Sequence, residues 1–191
     1  MHGLIYALSL VGLALLGALT WTLAEYLLHR FAGHVWRKNP FGVEHTRHHI
    51  EGAYFAPSLK KAAYMTPVAV AQTWLFTAVL PLSLPMAVAY GVGLWGGYIL
   101  YEVIHRRAHT HPPRHAYGRW RRRHHFWHHF GDARVNHGVS LPLWDHVFRT
   151  YQTPELIRVP RKLAMDWLLD DAGELRPELA RDYVLRGRRA K

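Results

Sequence analysis

His125-Phe126-Trp127-His128-His129 sets three imidazoles within five residues, and three more clusters share its character: His29-x4-His34, His45-x2-His48-His49 and His105-x3-His109. Residues at i, i+3 and i+4 project from one face of an α-helix, so both x2-His-His triplets and the His105/His109 pair have chelating geometry. Neutral imidazole is the commonest side chain that binds zinc, iron, nickel and copper. Ten such donors exceed what one ion can hold and are about right for two ions of about five ligands each. His29 and His34 are five apart and would diverge on a regular helix. Gly33 offers a remedy, since glycine at a helix end lets the chain turn. The first helix is then expected to end near Phe31–Ala32, with His34 aimed back.

Outward from the clusters, charge is segregated along the chain. Of 24 Lys and Arg, none precedes Arg30 and none lies between Ala62 and His105; six fall in 30–61 and eighteen from Arg106 onward. The net charge of +11 invites a nucleic-acid reading. The basic residues flank long apolar runs, however, which is the pattern of membrane topology, so no nucleic-acid partner is expected. With no cysteine, disulfides, Cys-bound zinc, iron–sulfur clusters and thiolate-ligated haem are excluded. The N-terminus lacks a basic leader, and its apolar run reads as an uncleaved membrane helix.

Apolar segments at about 4–28, 62–80 and 86–104 are long enough to cross about 30 Å of hydrocarbon. Pro81 and Pro85 supply the break between the last two. The Arg and Lys distribution puts the N-terminus outside and 30–61 and 105–154 inside. The predicted fold is therefore all-α: about three transmembrane helices with a cytoplasmic, helical, histidine-rich cap. Residues 1–154 form the membrane domain, and 155–191 a cytoplasmic amphipathic tail with a packing or interfacial role. Pro177–Arg186 reads as a short helix. Every histidine cluster falls on the cytoplasmic side.

Ligating imidazoles pass their other N–H to a carboxylate or carbonyl. Glu25, four before His29, and Glu102, three before His105, are candidates for that role, as are His111, His124, Asn136 and His137. His2, His111, His115, His124, His137 and His146 are expected outside the ligand set, with His124 the competitor of His125. Trp127, Arg106, Arg107, Arg121, Arg122 and Arg123 form a candidate surface for lipid headgroups, substrate or an acidic electron donor. Trp21, Tyr26, Trp95, Tyr98, Tyr101 and Trp120 read as an interfacial belt or the wall of an acyl groove. No residue is required as a nucleophile. Acidification below about pH 6 is expected to release bound metal, since protonated imidazole cannot ligate.

These segments resemble the fatty acid hydroxylase/sterol desaturase superfamily of membrane di-iron oxygenases. The resemblance rests on Trp21-Thr-Leu-Ala-Glu-Tyr-Leu-Leu-His-Arg-Phe-Ala-Gly-His34, on Tyr98-Ile-Leu-Tyr-Glu-Val-Ile-His-Arg-Arg-Ala-His109 and on Arg122-Arg-His-His-Phe-Trp-His-His-Phe130. The ending Gly138-Val-Ser-x3-Trp144-Asp-x-Val-Phe-x-Thr150 is similar to fatty acid (sphingolipid) 2-hydroxylases in particular. It implies ten ligands (His29, His34, His45, His48, His49, His105, His109, His125, His128, His129), two iron ions and O2. It implies a lipid substrate in the bilayer, and electrons from a separate cytochrome b5- or ferredoxin-like protein. His111 and His137 depart from the family pattern. The alternatives are a hydroxylase or desaturase of a sterol or carotenoid, a membrane metal-binding or transport protein, and a haem protein. The excess of arginine over lysine points to a bacterial inner membrane.

Overall fold

A computed structural model describes residues 1–80 and 82–187. The chain forms two compact units, one of Met1–Glu25 with Ala56–Glu102 and one of Tyr26–Phe55 with Val103–Lys191. Helix α1 (His2–Leu27) runs on without interruption into a π-helical segment, Leu28–Val35. There follow α2 (Pro40–Glu51), α3 (Ser58–Trp74) with a π-helical extension Leu75–Val79, α4 (Leu84–Thr110), α5 (Ala116–Phe130) and a short α6 (Leu143–Val147).

In the first unit, α1 and α4 approach through glycines. A Cβ on Gly17 would lie 2.1 Å from the Tyr90 carbonyl oxygen, and one on Gly93 would lie 1.8 Å from that of Ala14. Trp21 fills the space over Gly97 and meets Tyr98 edge-on at 5.0 Å between ring centroids. Small residues every fourth position let apolar helices pack backbone to backbone, the usual device of helices in lipid. Along α1 the outward side chains are Leu4, Ile5, Leu8, Val11, Leu15 and Leu16, all exposed.

Two helical stretches among the described residues, His2–Val35 and Leu84–Thr110, are long and apolar enough to cross a membrane. The expected crossing at 62–80 is helical but is not one of them: it begins at Ser58, contains Pro67 and spans 17 residues before its π-helical extension. Pro67 cannot donate to the helix ladder, and Gln72 dilutes the apolar run. The break between α3 and α4 lies where the prolines placed it, although Pro81 is outside the described residues. Helix α4 continues to Thr110, past the expected end at Ile104, and so carries His105 and His109 itself.

The second unit departs from an all-α fold. Strands β1 (Ile157–Pro160) and β2 (Tyr183–Arg186) pair in parallel, Ile157 opposite Tyr183. In β1 the alternation of buried Ile157 and Val159 with exposed Arg158 is the period-two pattern of a half-buried strand. The expected tail helix over Pro177–Arg186 is instead a 3-10 turn, Pro177–Leu179, followed by β2. The packing role holds. Ile157, Val159, Trp167, Leu168, Leu179 and Tyr183 form a core with Ala108 of α4 and Phe126 of α5, and Trp167 Nε1 donates to the Ala108 carbonyl at 3.1 Å. Ala108 and Phe126 adjoin His109 and His125 in sequence, so the tail braces the two helices that carry them.

The Gly93 contact gives a direct test. Gly93→Ala forces a methyl into backbone and is expected to cost about 1–3 kcal/mol by overpacking. Gly96, with nothing within 4 Å of its would-be Cβ, is the control: Gly96→Ala is expected to be neutral or to stabilise by about 0.5–1 kcal/mol through helix propensity. Thermal unfolding of the detergent-solubilised protein separates the two; equal midpoints would contradict the glycine-mediated contact.

Candidate metal centre

The π-helical segment answers the five-residue spacing of His29 and His34. Its hydrogen bonds run five residues back, as in Trp36 N–H to the Phe31 carbonyl at 2.7 Å, and this wider turn brings residues five apart onto one face. The helix does not end at Phe31–Ala32, and Gly33 makes no turn. Gly33 is small for another reason: a Cβ there would lie 2.8 Å from His45 Cδ2. Its hydrogen lets α2 lay His45 against the segment. Helix α2 is fixed at its start by Asn39, whose side chain accepts from the Gly42 N–H at 2.9 Å, with Pro40 at the first helical position.

The ten clustered histidines form two groups. His29, His34, His45, His49 and His128 make the first, and His48, His105, His109, His125 and His129 the second. Within each group the donor atoms lie within 4.8 Å of one another, and either group could hold a metal ion. The triplets are shared reciprocally. The i, i+4 pair His45/His49 serves the first group while His48 serves the second; His125/His129 serve the second while His128 serves the first. Each group is completed by a pair from a long apolar helix.

The arrangement fits bound ions in three respects. First, nitrogens converge: His34 Nε2 lies 2.9 Å from His128 Nε2 and 2.8 Å from His45 Nε2, and His109 Nε2 lies 2.9 Å from His125 Nε2. Donors about 2.1 Å from one ion and at right angles are about 3 Å apart. Second, main-chain carbonyls engage the far ring nitrogens. His128 Nδ1 donates to Val135 O and His48 Nδ1 to Tyr54 O, both at 2.7 Å, and His29 Nδ1 donates to His137 O. A carbonyl only accepts, so Nδ1 carries the proton and Nε2 keeps its lone pair. Third, Nε2 of His29, His49 and His129 is buried without a hydrogen-bond partner among the described residues. A buried ring nitrogen without a partner is costly, and a bound cation would satisfy it.

Burial, and then the neighbouring histidines, hold His45, His125, His128 and His129 well below the usual imidazole range. His49 is lowered to about 2 by burial and then by His34 and His48. Burial therefore favours the neutral, ligating form of these five imidazoles.

The outer candidates divide. Glu102 pairs with Lys61 within the first unit, where Glu25 is also buried. The imidazole partners identified above are carbonyls rather than these carboxylates. His137 supplies one of them, and its ring lies 5.2 Å from that of His128 and 5.4 Å from that of His29. His124 faces away from both groups, stacked between Trp120 and Tyr151, and so does not displace His125. Asn136, buried with φ of 56°, locks the loop by exchanging bonds with Gln152: its Nδ2 donates to Gln152 O at 2.9 Å and its Oδ1 accepts from Gln152 N–H at 2.8 Å. His111 is exposed and contacts Thr110, and His115 caps α5 by accepting from the Gly118 N–H at 3.1 Å.

The arginine surface is smaller than expected. Arg122 is 5% exposed and donates to the carbonyls of Arg107, His111 and Gly118, clamping the end of α4 to the start of α5. Arg123 donates to Pro154 O at 2.6 Å and pairs with Asp182 at 3.4 Å. Arg106 and Arg107 are exposed, Arg106 lying 4.4 Å from the Phe55 ring centroid, and Arg121 lies over Tyr117 at 5.8 Å. Trp127 donates to Gln152 Oε1 at 2.9 Å. The residue missed outright is Asp145, fully buried beside the first group's loop; its only trace in the sequence is the Trp144-Asp-x-Val-Phe-x-Thr150 ending.

A family model for fatty acid hydroxylases matches residues 14–150. The fatty acid 2-hydroxylase of Rattus norvegicus is 36% identical over 153 residues, covering 73% of this chain and 39% of that protein. A dihydroceramide fatty acyl 2-hydroxylase of Arabidopsis thaliana is 31% identical, covering 70% of this chain and 58% of the relative. A solved structure of full-length scs7p, with only the hydroxylase domain visible, matches with a TM-score of 0.60 at 27% identity, over 78% of this chain and 59% of that one. The chain thus spans well under two thirds of the length of these relatives. Its histidine-bearing helices and most of its length nevertheless lie inside the matched region, and the chain belongs to the fatty acid hydroxylase family.

Proposed function

We propose that this chain hydroxylates an unactivated C–H bond of a lipid acyl chain, at the 2-position of a fatty acid or sphingolipid. The observation that carries the reading is the pair of five-imidazole groups, built from nitrogen donors alone, in a chain of this family. The balanced reaction consumes O2, two electrons and two protons and gives the alcohol and water. Two iron ions, one in each group, would supply the oxygen activation that no protein side chain can perform. The ten histidines are their ligands. The protein's own contribution is to keep those imidazoles neutral, to fix their tautomers through carbonyl partners and to exclude water by burial. Electrons come from a separate acidic cytochrome b5- or ferredoxin-like protein, for which exposed Arg106 and Arg107 are a suitable surface.

The membrane arrangement belongs to the same proposal. Residues 1–154 form the membrane domain with the N-terminus outside. The α3 region makes a third crossing beside α1 and α4, the cap of 30–61 and 105–154 lies in the cytoplasm with the tail from 155, and the location is a bacterial inner membrane. The Arg and Lys distribution supports this orientation. Comparing lipids from cells with and without the gene by mass spectrometry is the direct test. A 2-hydroxylated acyl species is expected to appear with the gene and to fall to background in His34→Ala and His48→Ala, with membrane insertion retained. An unchanged lipid profile would sink the assignment.

Stability against pH follows from the lowered imidazoles. In the unfolded chain these histidines titrate near pH 6.5; in the folded chain His49 holds out to about 2. Below pH 6.5 the unfolded state therefore binds more protons, and stability falls as pH falls through that window. Metal-depleted protein is expected to show a constant unfolding midpoint above about pH 7.5 and a falling one from pH 6.5 to 5. A flat profile between pH 5 and 7.5 would mean that these rings are not buried as neutral species.

A further inference from the structure

Asp145, on α6, is fully buried, and its two oxygens accept three hydrogen bonds. Oδ1 accepts the main-chain N–H of His137 and the hydroxyl of Thr150, each at 2.8 Å. Oδ2 accepts the N–H of Gly138 at 2.8 Å, and His124 Nε2 lies 3.3 Å from it. Thr150 donates to Asp145, and so accepts from the Tyr26 hydroxyl at 2.9 Å. A carboxylate withdrawn from water is costly unless such bonds replace its hydration, so these contacts are held firmly.

One of them holds a rigid body that His29 also contacts. The peptide linking His137 to Gly138 is planar, with its N–H and C=O pointing in opposite directions. Asp145 Oδ2 grips the N–H edge. The C=O edge receives His29 Nδ1. There is no room for a side chain at position 138, where a Cβ would lie 2.2 Å from Leu141 O and 2.9 Å from Asp145 Oδ2. In the second group, His48 takes its carbonyl from Tyr54, just beyond its own helix.

We propose that Asp145 is a positioning residue for the first histidine group alone: through the His137–Gly138 peptide it holds His29 with Nδ1 protonated and Nε2 available to the ion. Asp145 touches no ligand ring of that group and no reacting atom. The proposal rests on the reading that both groups bind metal, and the test separates the two. Asp145→Asn keeps the shape but replaces one acceptor oxygen with an NH2 donor, which cannot receive an N–H.

The measurement is zinc per chain, by elemental analysis, in detergent-purified protein loaded with Zn2+ and desalted. The parent is expected to hold two ions, and His34→Ala and His48→Ala one each. If both single variants still hold two, metal binding at these groups is wrong and the proposal goes with it. Given one ion in each, Asp145→Asn is expected to hold one, to cause no further loss in the His34→Ala background, and to reduce the His48→Ala background to near zero. Two ions in Asp145→Asn, or equal losses in both backgrounds, would overturn the proposal, because general structural damage does not distinguish the groups. Should Asp145→Asn not be recovered from membranes, Thr150→Val in the two backgrounds decides. Zn2+ release to a chelator is expected to be about 10-fold faster in the His48→Ala background and unchanged in the His34→Ala background; equal rates count against it.

Discussion

Ten imidazoles packed so closely have to be neutral, and that requirement governs the second unit. An imidazolium inside either group would sit within a few ångströms of its neighbours in a poorly solvated interior, where like charges repel strongly. Burial and mutual repulsion both favour the uncharged ring. A neutral imidazole has one N–H and one lone pair, so each ring must face a choice of tautomer. The main chain makes that choice for His29, His48 and His128 through the carbonyls of His137, Tyr54 and Val135.

The reciprocal sharing of the two triplets has a mechanical consequence. Helices α2 and α5 each contribute to both groups, so neither group can shift without moving the other. A triplet that served one ion alone would leave two independent sites on separate helices. Here His48 and His128, the i+3 members, reach across, while the i, i+4 pairs stay with their own group. The tail supports this coupling from behind. Phe126 sits on α5 between ligand positions and packs into the core built by β1, β2 and the turn carrying Trp167.

Carbonyl partners also bear on the charge of the centre. A carboxylate on the far ring nitrogen would raise the basicity of the imidazole and bring a negative charge close to the ion. A carbonyl fixes the tautomer with far less charge. In the first group a carboxylate stands one remove away, where Asp145 holds the peptide whose carbonyl receives His29.

The clustering of histidines was legible because its signal is local: x2-His-His and x3-His spacings declare helix faces, and the two groups that could hold metal contain the same ten residues. What was hidden depends on backbone choices that side-chain spacing cannot encode. His29-x4-His34 looked irregular only against an α-helical ruler; a π-helical ruler makes it regular, and Gly33 then serves close packing rather than a turn. Partition of the triplets needed the approach of α2 to α5, which no single helix records. In the tail the helix expected over Pro177–Arg186 is a 3-10 turn and a strand, and the alternation in Ile157–Val159 was the better guide. Asp145 is the instructive miss. Asp145 lies sixteen residues beyond His129, and its link to His29 runs through main-chain atoms that carry no sequence signature.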